Sequence, residues 1–186
     1  FFMDEAAFPV AAGYTVRMRG CDVAIQSGAG TAFFQVSNRA SLDLDMVGGT
    51  LALDGPGCPF VLASGNAMAY EATAHIRVDG VTVTNAGGGL LLHAAHGVSN
   101  VWLSRGSVLP GQTIMADTGV TVHVWYDDSC SVVESWTGAG TVVFHKTGAA
   151  AAGLRNPHPA WVDGFGFVGI ENSAPYSMVT FTSGRV

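Results

Sequence analysis

The sequence predicts an all-β solenoid, a parallel β-helix, and three observations lead there. The first is a two-strand pattern, clearest in Ala74–Ala86. Ile76, Val78, Val81 and Val83 alternate with His75, Arg77, Asp79, Thr82 and Thr84 about a turn at Asp79-Gly80, so each strand has one apolar side. The pattern recurs in Ser41–Asp54, in Asn100–Leu109, and in Val120–Tyr126 continuing to Cys130–Glu134. The second is a near-continuous apolar strand accompanying the copies: Ala32–Val36, Pro59–Ala63, Gly89–His93, Gln112–Ala116 and Thr141–His145. A strand apolar on both sides is buried on both sides. The third is the lack of any sustained helical period with caps. A β-sandwich, the competing architecture, also uses short strands at regular spacing, but it does not explain why the same two-strand unit recurs around an apolar strand.

Taken in order, residues 1–12 form an apolar lead-in. A shorter first copy starts at Gly13, with Val16 and Met18 against Thr15 and Arg17, then Val23 and Ile25. Gln26–Gly30 is a turn. The offsets between copies vary, as a solenoid allows, because insertions fall in loops; residues 65–73 read as such an excursion. Coils stacking about 4.8 Å apart place Leu44, Val78, Leu103 and Val124 in one inward column and Leu51, Val81, Val108 and Val132 in another. After Lys146 the pattern changes to a small-residue linker at 148–153, a stiff extended piece at Arg155–Pro159, a Gly- and aromatic-rich run over Trp161–Val168, and a final strand at Ser177–Thr182. The expected division is a solenoid over residues 1–148 and a C-terminal extended and strand segment over 149–186.

Only 12% of residues are charged, against about 25% on average. Little charge is left to cover a monomer's surface, which points to association with other chains. The 48% hydrophobic content excludes a disordered chain. The net charge of −6 leaves no basic footprint for nucleic acid. No apolar run reaches the roughly 18 residues of a membrane span, and Phe1-Phe2-Met3-Asp4 is no signal peptide. Cys21, Cys58 and Cys130 show no metal-ligand or redox spacing, so neither a disulfide nor a cofactor is expected.

The stretches Gly13–Gly20, Ala32–Asn38 and Leu42–Gly55 resemble the opening coils of pectin-lyase-like right-handed β-helices, and His75–Asn85 and Gly87–Arg105 resemble their middle coils. The resemblance covers residues 13–147 and rests on pattern. That superfamily includes polysaccharide lyases and hydrolases and bacteriophage tailspikes. The resemblance implies a right-handed solenoid and, as lead function, a bacteriophage virion structural protein in host attachment, as a tailspike or tail-fibre part, or in capsid decoration. Its location would be the virion, outside the cell, with other virion proteins or a cell-surface glycan as partners. No head-binding domain is read, which points to a fragment or a short decoration protein. A polysaccharide-degrading enzyme and a noncatalytic extracellular module are the alternatives.

Candidate chemistry sits on the outward side of the recurring strands. Asp43, Asp45, His75, Arg77, Trp102, His123 and Trp125 form a candidate carbohydrate-binding strip, since indoles cover apolar sugar faces and carboxylates accept from hydroxyls. Asp45, Asp79 and Arg77 are the candidate catalytic residues. Lyases of the resembling family use an Arg base with acidic calcium ligands, and an inverting glycosidase uses two carboxyls about 6.5–9.5 Å apart. No motif matches either residue by residue, and solvated surface or a subunit contact is the plainer reading. His93-Ala-Ala-His96 lacks an acidic third ligand, so no metal site is expected. Asp127-Asp128 reads as a turn.

In the apolar strands, inward parity fits Phe34, Val36, Phe60, Leu62, Leu90, Leu92, Ile114, Val142 and Phe144. Phe33, Val61, Leu91, Met115 and Val143 then form an outward apolar stripe larger than a soluble monomer commonly exposes. The expectation is a homotrimer closed through that stripe, with the tail (Trp161, Phe165, Phe167, Phe181) as the rival cover.

Overall fold

The computed structural model describes residues 2–4, 13–25, 32–37, 40–64, 72–148, 167–171 and 180–184. Among these the chain is all-β, without helix, and curls into a solenoid-like arrangement of parallel strands. The strands are β1 (Phe2–Asp4), β2 (Gly13–Ile25), β3 (Phe34–Ser37), β4 (Ser41–Leu53), β5 (Val61–Ala63), β6 (Thr73–Asp79), β7 (Thr82–Thr84) and β8 (Leu92–Ala94). They continue with β9 (Val98–Ser104), β10 (Val108–Leu109), β11 (Ile114–Ala116), β12 (Thr121–Tyr126), β13 (Ser131–Val132), β14 (Thr141–Lys146), β15 (Phe167–Glu171) and β16 (Thr180–Gly184).

The pairings sort them into three stacks. The first runs through the N-terminal halves of β2 and β4, then β6, β9, β12 and β14. The second runs through the C-terminal halves of β2 and β4, then β7, β10 and β13. The third is β1-β3-β5-β8-β11. Every one of these contacts is parallel, as the recurrence of one unit requires. β15 adds a parallel strand on β2, and β16 returns antiparallel on β15.

Glycine sets the corner between the first two stacks. β2 and β4 pass through it at Gly20 and Gly48, and Gly80 takes the same place in the next coil, all at positive φ (57°, 66° and 67°); Arg105 follows in register, with Gly106 (φ 75°) just after it. That left-handed conformation turns the chain sharply and is sterically cheap only without a Cβ. Arg105, at φ 52°, is a non-glycine exception in this corner. Between the third and first stacks Gly97 is needed for a second reason: a Cβ there would lie 2.1 Å from the Ala72 carbonyl oxygen.

The core lies between the stacks. Val16, Leu44, Ile76, Val101 and Val124 share one register column, and Met18, Met46, Val78, Leu103 and Tyr126 the next; all are buried. The faces are as the alternation predicts except at Val108, which is expected inward but lies on the outward side, with Leu109 inward in its place; the partners differ more widely. Val78 and Leu103 do pair, yet with Met46 and Tyr126 rather than with Leu44 and Val124. In the second stack Leu51 pairs with Val83, not Val81, and Leu109 with Val132, while Val108 pairs with Thr82 and Ser131. A two-residue slip preserves the face of every side chain, so alternation alone cannot detect it.

The third stack reverses part of the predicted parity. Phe34, Val61, Leu92 and Ile114 form one buried column, and Val36, Ala63, Ala94 and Ala116 another. Val61 and Leu91, expected outward, are fully buried within the chain. Gln35, Leu62, His93 and Met115 occupy the alternate, half-buried positions. Leu62 and Leu90, expected inward, are only half-buried. Phe33 is half-buried and stacks on buried Phe60 at 5.4 Å. Val143 leaves the proposed stripe altogether: β14 belongs to the first stack, where Val143 pairs with His123, and Thr137 bridges to Met115 instead. Trp161 and Phe165 lie outside the described residues, as do the side chains of Phe167 and Phe181.

Candidate functional site

The outward side of the first stack gathers the candidate residues into two columns. One runs Arg17, Asp45, Arg77, Trp102, Trp125, His145; beside it run Thr15, Asp43, His75, Asn100, His123 and Val143. Each rung is one coil, so the recurrence of the strand unit is what stacks these side chains. One end is charged and the other aromatic.

At the charged end Arg77 joins two carboxylates. Its Nη1 donates to Asp45 Oδ1 at 3.1 Å and its Nη2 to Asp79 Oδ2 at 2.8 Å. Asp79 Oδ1 accepts in addition from Ser104 Oγ at 3.0 Å and from Arg105 Nε. Asp45 is 7% exposed and Asp79 3%. Carboxylates this buried are tolerated only when paired and hydrogen-bonded, and Asp79 meets that condition through three donors. The two candidate acids are therefore bridged by the guanidinium.

In the middle, Asn100 Nδ2 lies within hydrogen-bond distance of His75 Nδ1, at 3.2 Å. The His75 ring lies 5.6 Å from Trp102, tilted, and both are buried.

At the aromatic end the rings stack on one another. Trp125 and His145 lie 3.8 Å apart with 13° between their planes. His123 lies 5.2 Å from His145 and 6.3 Å from Trp125, and Trp125 packs against Trp102. A sugar ring stacks on an open indole face; one face of Trp125 is already covered by His145.

The structure thus brings Asp43, Asp45, His75, Arg77, Asp79, Trp102, His123 and Trp125 onto one face. Sequence reasoning missed Arg105, Asn100 and His145 there. Alternation within Thr141–Lys146 carries the signal for His145, once that segment is read as a first-stack strand. Arg105 lies in a corner, where alternation fails.

Elsewhere, His93 Nε2 lies 3.1 Å from Asp117 Oδ1 on the third stack. Asp127 Oδ1 accepts from the Ser129 amide at 2.8 Å, which is the side-chain-closed turn its sequence suggests. Burial pushes the Cys130 thiol up, away from the thiolate a nucleophile needs. Tyr126 donates to Glu134 Oε1; that bond, then burial and the charge of Glu134, push the phenol up to about 12. Among the described residues, no three His, Cys, Asp or Glu side chains converge to hold a metal ion.

Compared with known proteins, the chain matches no family model, no curated protein and no solved structure.

Proposed function

We propose that the chain is a right-handed parallel β-helix of the pectin-lyase-like type and a noncatalytic structural module of a bacteriophage-type virion, serving in host attachment or capsid decoration. One observation carries the noncatalytic part: the three candidate catalytic groups are engaged with each other, Arg77 with Asp79 on its own strand and with Asp45 on the neighbouring coil. Arg77 stands between Asp45 and Asp79. The position an inverting hydrolase keeps for its water is taken by a guanidinium, and an arginine clamped by two carboxylates is a poor base. Together with the Trp125–His145 stack, this favours a strip that ties coils together over one that processes a glycan.

The virion assignment rests on the resemblance of residues 13–147 to the tailspike class of solenoids. A homotrimer is part of the proposal. It would close on the outward side of the third stack, through Leu62 and Met115 with Gln35 and His93. Those four register positions hold no Lys, Arg, Asp or Glu, whereas the first stack's outward side holds Asp43, Asp45, Arg77 and Asp79. Asp117, which lies 3.1 Å from His93, is the carboxylate that reaches this face, and a face with so little charge costs less to desolvate against a second copy than the first stack's.

The test is mass in solution together with reducing-end and unsaturated-product release from a panel of bacterial and plant polysaccharides. A trimer releasing neither product is expected. Turnover that is abolished by Arg77→Ala in a folded protein overturns the noncatalytic reading, and a monomer at micromolar concentration overturns the trimer.

A further inference from the structure

We infer that His123 and His145 form a two-imidazole site for a divalent transition-metal ion of the Cu2+ or Ni2+ type, beyond the structural role above and against the sequence's expectation of no metal. His123 Nδ1 and His145 Nε2 lie 2.9 Å apart on adjacent parallel strands. Two nitrogens bonded at about 2.0–2.1 Å to one ion lie about 2.9 Å apart when the bonds meet at a right angle, and about 3.3 Å apart at the tetrahedral angle. The observed separation is that of a hydrogen bond and is also compatible with two neighbouring positions of the square-planar or tetragonal geometry that Cu2+ and Ni2+ prefer, and imidazole is a suitable donor for both. Without the ion the same nitrogens share a hydrogen bond; to bind it, each ring turns off the line between the two nitrogens until both lone pairs meet at a common point.

Three features of the surroundings favour an ion. Trp125 stacks on His145 at 3.8 Å and 13°, which resists tilting of that ring and leaves it to turn within its own plane. The outward register neighbours of the pair are Asn100, Trp102, Trp125 and Val143, none of them cationic. The nearest-numbered cation, Lys146, sits on the opposite parity of β14 and pairs with Asp128 at 3.0 Å. Both imidazoles are half-buried rather than enclosed, so water completes the coordination. With two protein ligands the site falls below a closed structural cage.

The probes are Ni2+ by titration calorimetry and Cu2+ by electron paramagnetic resonance and tryptophan fluorescence, on the full chain. Expected are one ion per chain, nitrogen superhyperfine splitting from two imidazoles, quenching of tryptophan emission, and weaker binding of Zn2+ than of Cu2+. His123→Gln and His145→Gln each weaken binding by about tenfold or more, since loss of an outer-shell partner alone costs that much, while His96→Gln, at an exposed position outside both proposed surfaces, leaves it unchanged. His123→Gln keeps the Trp125–His145 stack, so a folded variant is available even if His145→Gln loosens the last rung; unfolding midpoints without metal check this. Affinity unchanged in His123→Gln, binding lost in His96→Gln, or no saturable binding at all overturns the site.

Discussion

Arg77 and Asp79 lie two residues apart on one strand, and the guanidinium Nη2 donates to the carboxylate at 2.8 Å while its other arm reaches Asp45 on the neighbouring coil. The strand's period of two makes the first contact and the register of β4 with β6 makes the second. Arg77→Ala removes both and leaves two buried carboxylates short of a donor, so stability falls by about 2–4 kcal/mol. Arg77→Lys loses less, because one ammonium keeps the charge but lacks the fork that spans both acids. Urea unfolding of the three proteins checks the order.

Gly97 and Gly119 share a positive φ, 80° and 82°, but differ in their surroundings. A Cβ at Gly97 meets the Ala72 carbonyl oxygen at 2.1 Å; at Gly119 it meets nothing within 4 Å. Gly119→Ala should cost only the left-handed penalty, about 1–2 kcal/mol. Gly97→Ala adds a backbone clash and should be clearly worse. Equal midpoints for the two variants would refute the packing at that corner.

Leu91 is fully buried and Met115 half-buried on the outward side. Leu91→Ala should cost about 2–5 kcal/mol, and Leu91→Asp should prevent folding rather than release folded monomers. Met115→Asp is the substitution that tests the proposed interface. It should leave the circular dichroism spectrum intact and lower the mass in solution.

The Tyr126 phenol, held up to about 12 chiefly by its bond to Glu134, gives stability a pH dependence of known sign. Its folded value lies above the ordinary 10, so the neutral form is favoured by folding. That contribution is complete below pH 10 and is lost as pH rises from 10 through 12. A tyrosinate absorbance titration should show a late component near pH 12, absent in Tyr126→Phe, whose stability should also fall less over that range.

How far the sequence could be read depended on the type of strand. Where apolar and polar residues alternate, as in Thr73–Asp79, the faces were legible: Ile76 and Val78 are inward, and His75, Arg77 and Asp79 share the outward strip. The partner of each residue was not legible, because the turns between strands vary in length and a slip of two leaves the pattern unchanged; hence Leu44 pairs with Ile76 rather than Val78. Where the strand is apolar throughout, parity itself disappears, and Val61 and Leu91 were placed on the wrong side. The same uniformity put Thr141–His145 among the third-stack strands, hiding His145 from the aromatic end of the strip. The ion pairs were legible only as a set of charges on one face. That Arg77 bridges Asp45 and Asp79 follows from register, which the residues alone do not specify.

The claim that the outward strip ties neighbouring coils together is tested most directly by a double-mutant cycle on Asp45 and Arg77, with Asp45→Ala, Arg77→Ala and the double variant unfolded in urea. Residues in contact across two coils should couple, and the predicted interaction free energy is about 1–3 kcal/mol. Additivity within about 0.3 kcal/mol would mean that the two side chains do not act on each other, and would contradict the account.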